Sequence, residues 1–147
     1  MPNQPLGPEM QAAIWIARPP QALWRYLEDV SQDPQWRVGV RAARWTSSPP
    51  HGVGSTGAHS IQGQGDWRWT AAEVDEPNRM SWDYASGMFT GGRAGYRLQV
   101  EKGGTRLTMH LQLKPGLSQR LLMLVLKPLI QRQLAGDLAK LKAILEA

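Results

Sequence analysis

His59, Tyr84 and Tyr96 are the side chains of this sequence best suited to moving protons. His59 stands on a glycine-rich segment, and a neutral imidazole can take or give a proton near pH 7. Tyr84 and Tyr96 fall on the apolar phase of their segments, where a buried phenol needs a hydrogen-bond partner that a ligand could supply. Asp66, Asp83 and Glu73 are the remaining acid or base candidates. Asp83 and Glu73 lie on the polar phase, as solvated partners of nearby arginines, while Asp66 stands at a strand entrance where it could rim a cavity. His110 alternates with Met109 and Leu111 and should point outward, and His51 sits in a Pro/Gly turn. No cysteine is present, which removes thiolate nucleophiles, thiolate metal sites and disulfides. The three histidines lack metal-ligand spacing and there is no Gly-x-Ser-x-Gly elbow, so neither a metal nor another cofactor is expected. Nothing here forms a complete catalytic set, which favours binding over turnover.

The surface that would hold such groups is legible in residues 67–84. Trp67, Trp69 and Ala71 alternate with Arg68, Thr70 and Ala72, and after Glu76-Pro77-Asn78 the pattern returns as Met80, Trp82 and Tyr84. A period of two puts alternate side chains on one face of a strand. Two adjacent antiparallel strands would then carry large rings and a methionine on one surface, opposite a solvated face. Something must cover those rings, either an ordinary core or an apolar ligand. Seven Trp against one Phe is an uncommon ratio, and each indole offers a broad apolar face with one N–H donor.

Composition sets the outer limits. At 147 residues, with 41% hydrophobic and 20% charged side chains, the chain fits one globular domain and has no room for a second. The net charge of +5 invites a nucleic-acid reading. The seventeen Lys and Arg are spread from Arg18 to Lys142 without a block, however, and Arg68, Arg97, Arg106 and Lys114 lie on outer strand faces. A solvated face therefore explains them better than a phosphate track, and no specific nucleic acid is expected. The first ten residues hold three prolines and no signal-peptide core. The longest apolar run, residues 121–126, is about a third of the ~18 residues needed to span a membrane. These readings predict a soluble, cytoplasmic protein.

The elements that must position the site follow in order. Residues 1–9 read as a flexible lead and 10–147 as one domain. A first strand runs over 10–17, and Pro19-Pro20 suits the first turn of a helix carrying Leu23, Tyr26 and Leu27. Asp33 before Pro34 reads as the start signal of a second short helix that carries Trp36 and ends near Gly39. Strands are expected over 40–46, 53–62, 66–75, 79–86, 93–101 and 105–114, the last two forming a hairpin around Lys102-Gly103-Gly104. Residues 53–62 are rich in glycine, which marks a bent strand or one that something approaches closely. After Pro115-Gly116, Ser118 reads as the N-cap of a terminal helix that Pro128 should kink or divide. Ile130, Leu134, Leu138, Leu141 and Leu145 hold one face of it, with Arg132, Asp137, Lys140 and Lys142 on others. Upstream, residues 121–126 are apolar all round and must be deeply buried or meet a ligand, a partner or another subunit.

This order is that of an α+β helix-grip fold. A curved antiparallel sheet of about seven strands wraps a long C-terminal helix, with two short helices after the first strand and a cavity between sheet and helix. The local sequences agree. Ile16-Ala17-Arg18-Pro19-Pro20 with Leu23-Trp24 and Asp29 resembles the opening of the polyketide cyclase/dehydrase family of the SRPBCC (START-like, Bet v-like) superfamily. Gly52-Val53-Gly54-Ser55, the run from Val74 to Trp82, Gly103-Gly104-Thr105-Arg106-Leu107-Thr108 and the closing Leu138-Ala139-Lys140-Leu141-Lys142 are similar to later parts of that family's pattern. These are motifs of shape, and none performs chemistry. The resemblance implies a bound lipid, sterol, polyketide, plant hormone or quinone, with only some members being enzymes.

On this basis a small hydrophobic, aromatic or polycyclic ligand is expected in the cavity. Trp67, Trp69, Trp82, Tyr84, Tyr96, Met109 and Leu111 would form the sheet wall, and Leu134, Leu138 and Leu141 the helix wall. Met88 and Phe89, between glycines, suit a lid over the mouth. The enzyme alternative is a polyketide cyclase, aromatase or dehydratase with His59, Tyr84 and Tyr96 as proton carriers. A third reading is an interaction protein serving a quinone-linked or other complex, with a homodimer or protein partner at Leu121 to Leu126.

Overall fold

The computed structural model describes residues 9–87, 89–114 and 117–147, side chains of 117–122 excepted. Seven strands, β1 (Glu9–Ile16), β2 (Val40–Trp45), β3 (Thr56–Ile61), β4 (Gly65–Asp75), β5 (Arg79–Tyr84), β6 (Arg93–Glu101) and β7 (Gly104–Gln112), form one antiparallel sheet in the order β1-β7-β6-β5-β4-β3-β2. Helix α1 (Pro20–Glu28) and a 3-10 helix (Val30–Gln35) link β1 to β2, and α2 (Leu117–Leu145) closes the chain. This is the helix-grip α+β architecture. No described helix is long and apolar enough to cross a membrane.

The register carries the alternating pattern onto one face. Trp69 lies opposite Tyr84 and Gly57, Ala71 opposite Trp82, Met80 opposite Tyr96, and Tyr96 opposite Met109. All of these side chains are buried. The rings of β4 and β5 pair ahead of a bulge between Ala71 and Glu73, which changes the phase of β4 so that Val74 pairs with Met80. The expected second short helix is present as a 3-10 helix that stops at Gln35, before Gly39, with Trp36 as its C-cap residue. Asp33 does not cap it. The carboxyl sits inside the turn and is almost fully buried.

Helix α2 continues unbroken through Pro128 and is not divided. It begins at Leu117, so Ser118 is its second residue, and the side chain of Ser118 lies outside those described. Leu138 and Leu141 are wholly buried and Leu134 nearly so, which seats the second half of the helix on the sheet. Its end is tied to β1: Lys142 Nζ donates to the Trp15 carbonyl at 2.7 Å, and the Ala17 N–H donates to Glu146 Oε2 at 2.8 Å. The first half is different. Leu124 and Val125 are 74% and 68% exposed, while Met123 and Leu126 are half-buried; the side chains of Leu121 and Leu122 lie outside those described.

The glycine-rich strand has a definite cause. A Cβ on Gly57 would fall within the Trp69 ring, so the indole is what approaches β3 closely. Gly57→Ala is therefore expected to destabilise the fold by about 1–3 kcal/mol through overpacking. Gly136, helical and with open space around its Cα, should respond oppositely, with Gly136→Ala stabilising by about 0.5–1 kcal/mol. Urea unfolding midpoints of the two variants check both signs.

Candidate functional site

Between α2 and the sheet lies a cavity of about 590 Å³. Its apolar wall includes Trp67, Phe89, Met109, Leu111, Ile130 and Leu134, and Arg37, Tyr84 and Asp137 border it as polar groups. Trp67 meets Tyr84 edge-on at 5.8 Å and Phe89 at 5.0 Å between ring centroids. The loop after β5 reaches this position because Gly87, at φ +93°, passes directly over the Trp67 ring, where a Cβ would collide with it. Hydrogen bonds from the Gly91 N–H to the Tyr84 carbonyl and from the Tyr84 N–H to the Gly92 carbonyl fix the loop base. Phe89 thus forms part of the wall, and Met88 lies outside the described residues.

The expected wall residues divide between two spaces. Trp67, Tyr84, Met109, Leu111 and Leu134 border the large cavity. Trp69, Trp82, Tyr96 and His59 surround a second, water-sized void of about 10 Å³ together with Asp33 and Ser81. Leu138 and Leu141 border neither and are solid core. Asp66 is exposed, accepting from Ser60 at 2.6 Å and Arg44 at 3.4 Å, and borders neither space. Asp83 pairs with Arg93 at 2.7 Å and Glu73 with Arg79 at 3.7 Å on the solvated face. His51 stacks on Trp45 with centroids 3.9 Å apart. His110 lies on the outer face yet is 8% exposed, over Gly95 and 3.5 Å from Glu9, so it is covered rather than solvated.

Beside the void stands a charged cluster. His59 Nε2 is 3.2 Å from Asp33 Oδ2 and 3.5 Å from Arg37 Nη1, and Arg37 Nη1 is 3.4 Å from the same carboxylate oxygen. A carboxylate only accepts, so the shorter His59 contact is satisfied with the proton on Nε2, which leaves Nδ1 as a lone pair. Burial is the main influence on His59 and, with the Arg37 charge, outweighs the Asp33 hydrogen bond, holding its pKa below the ordinary value. Burial also opposes the Arg37 charge, but Tyr96, Tyr84 and Asp33 overcome it and the guanidinium stays protonated. Burial likewise pushes the Tyr96 phenol well above its usual value, so it remains a hydrogen-bond donor. Arg37 links the cluster to the large cavity, which it borders, while its partners Asp33 and His59 border the small void.

Asp137 is the other polar group that the sequence reading put on an outer face. It is 3% exposed, borders the cavity and accepts the Val38 N–H at 3.1 Å. Burial raises its pKa against the opposing effects of that hydrogen bond, Arg37 and Lys140. The spacing Leu134, Asp137, Leu138, Leu141 is that of a single helix face and could have placed it inward. The i,i+4 spacing of Asp33 and Arg37 was a comparable signal.

These pKa directions set a pH dependence. His59 and His110 are both held below 6.5 in the folded chain, mainly by burial, so the unfolded chain binds more protons as pH falls through that value. Stability should be full above about pH 7 and decline progressively below about pH 6.5. The raised carboxyl of Asp137 acts with opposite sign, costing stability as pH rises through its own acidic range. Urea midpoints from about pH 8 to about pH 5.5 should fall in the native chain, and His59→Gln should flatten that fall. A pH-independent midpoint in the native chain would contradict the assignment.

The comparisons with known proteins agree with this architecture. Residues 8–146 match the model of the family described as polyketide cyclase / dehydrase and lipid transport. An uncharacterised protein of Mycobacterium tuberculosis is 28% identical over 135 residues, covering 90% of this chain and 81% of that one. The Aha1 dimer from Colwellia psychrerythraea superposes with a TM-score of 0.70 at 17% identity, over 95% of this chain and 96% of the other. The di-domain ARO/CYC StfQ from the steffimycin biosynthetic pathway does so with a TM-score of 0.75 at 13% identity, over 96% of this chain and 52% of that one. Sheet order, helix placement and the family match converge, and the chain belongs to the polyketide cyclase / dehydrase and lipid transport family of the SRPBCC superfamily.

Proposed function

We propose that this protein binds a small hydrophobic molecule, aromatic or polycyclic, in the cavity between α2 and the sheet. The observation that carries the reading is the roughly 590 Å³ space with an aromatic and aliphatic wall and a few polar groups, which is the usual make-up of a ligand site. The match to a family described by lipid transport and polyketide chemistry supports it. Binding rather than turnover is favoured by the placement of the proton carriers. His59 and Tyr96 border the small void, so of the three only Tyr84 meets the cavity. The loop at Phe89 serves as the cover of the site, held on Trp67 by ring contact.

Filling the cavity tests this directly. Leu134→Trp places an indole in the space from the helix side and should weaken uptake of a hydrophobic ligand about tenfold or more while the fold persists. Native mass spectrometry of the purified chain and quenching of Trp emission by the retained compound supply the readout. Unchanged binding in that variant would overturn the location.

A second reading, an interaction surface, is favoured by the outer side of the first half of α2. Leu124, Val125 and Leu129 are exposed there beside the exposed Lys127, Pro128 and Arg132. No Asp or Glu occurs from residue 102 to residue 136. A second copy docking symmetrically would set these cations against their own equivalents, whereas an anionic lipid surface complements both the charge and the apolar side chains. Co-sedimentation with vesicles containing phosphatidylglycerol, but not with phosphatidylcholine alone, is the expected result, and Leu124→Glu with Val125→Glu should abolish it. A concentration-dependent dimer without vesicle binding would overturn this reading in favour of self-association.

A further inference from the structure

We infer that Arg37 anchors an anionic oxygen head group, a carboxylate or enolate, on the ligand that occupies the cavity. This rests on the hydrophobic-ligand reading above and adds to it the chemical class of the head. Among the described residues bordering the cavity, Arg37 is the one Lys or Arg side chain. A guanidinium carries five N–H donors in a planar fork suited to two oxygens at once. Its ion pair with Asp33 runs through Nη1 and Tyr84 hydrogen-bonds the same guanidinium, which still leaves N–H donors of the fork for another acceptor.

The environment favours an anion there. Asp33 is the only carboxylate in ion-pair contact with Arg37 among the described residues, and it shares its Oδ2 with His59. That carboxylate borders the small void, so it holds the guanidinium from behind while the cavity lies on another side. Tyr84, which interacts with Arg37, adds a hydroxyl to the same wall. Asp137 is the only carboxyl bordering the cavity among the described residues, and it already accepts the Val38 N–H. Trp67, Phe89, Met109 and Leu111 then receive the apolar body. The site therefore suits an amphiphile with one acidic end, and a neutral ester of the same body would offer the guanidinium a neutral acceptor in place of a charge-assisted one.

The test compares pyrene-1-butyric acid with its methyl ester, read by energy transfer from Trp to pyrene. In the native chain the acid should bind about tenfold more tightly or better, as expected for a charge-assisted pair in a desolvated site. Arg37→Met removes the anchor but leaves Asp33 buried and unpaired, so the double variant Asp33→Asn with Arg37→Met is measured beside it. Both should bind the ester within about twofold of the native chain and lose the preference for the acid. Equal affinity for acid and ester in the native chain would overturn the head-group assignment while leaving the cavity reading intact. A preference for the acid that survives in the double variant would overturn the role of Arg37. Binding of neither probe, with competing hydrophobic ligands also silent, would overturn the cavity reading and this inference with it.

Discussion

Cover for the aromatic face of a seven-stranded sheet is shared: Leu27 of α1 and Val30 and Trp36 at the 3-10 helix meet one part of it, α2 meets the rest, and only half of α2 is shaped to do so. The inner face carries Trp67, Trp69, Met80, Trp82, Tyr84, Tyr96 and Met109, all buried. Exposing such rings would cost about 25 cal/mol for each Å² left in water, so a cover is obligatory. Leu134, Leu138 and Leu141 of α2 provide it at one end through direct packing. Upstream, Met123, Leu126 and Ile130 are only half-buried, and the cavity borders Ile130, Leu134 and Asp137, where the helix passes from one regime to the other. The cavity is thus a consequence of how apolar residues are distributed along α2.

The charged cluster is the costliest feature of this interior. Placing Asp33, Arg37 and His59 together out of water is tolerable because each neutralises or hydrogen-bonds another, and because burial keeps the imidazole uncharged. The cluster therefore contains one cation and one anion rather than two cations. It also fixes Arg37 mechanically: the 3-10 helix positions Asp33 four residues before it, and β3 brings His59 to the same carboxylate oxygen. Residues from a turn and from the middle of the sheet so determine the polarity of one cavity wall.

Much of this was legible in the sequence, and the limits have physical causes. Alternation in residues 67–84 and 93–113 identified the inner face correctly, because a period of two is a property of the strand alone. It could not separate Trp67, at the large cavity, from Trp69 and Trp82, at the small void, since the three share a phase and differ only in where the sheet lies relative to α2. Asp33 resembled a helix start because Asp before Pro commonly is one, but tertiary packing drew the carboxyl toward His59. Asp137 was assigned to an outer face by its charge, although its spacing from Leu134 and Leu141 matched the inner one. In each case a local preference was overridden by a partner distant in sequence, which single-residue chemistry cannot reveal.

Persistence of the cavity requires that the surrounding rings be unable to fall into it. Gly87 contributes to this at the cavity, and Gly57 does the same at the small void. Gly57 makes room for Trp69 to lean against β3, and Gly87 lets the loop after β5 lie flat upon Trp67. Trp69 is further held by edge contact with Trp45 at 5.1 Å, and Trp67 by Tyr84 and Phe89 on either side. An indole has only two side-chain torsions, so once its neighbours are set it has few alternative positions to occupy. Flexible side chains such as methionine could refill a space of this kind, but beside Tyr84 the wall is made of the Trp67 and Phe89 rings. The cavity's shape is fixed for that reason by ring contacts and glycine clearances within the fold itself.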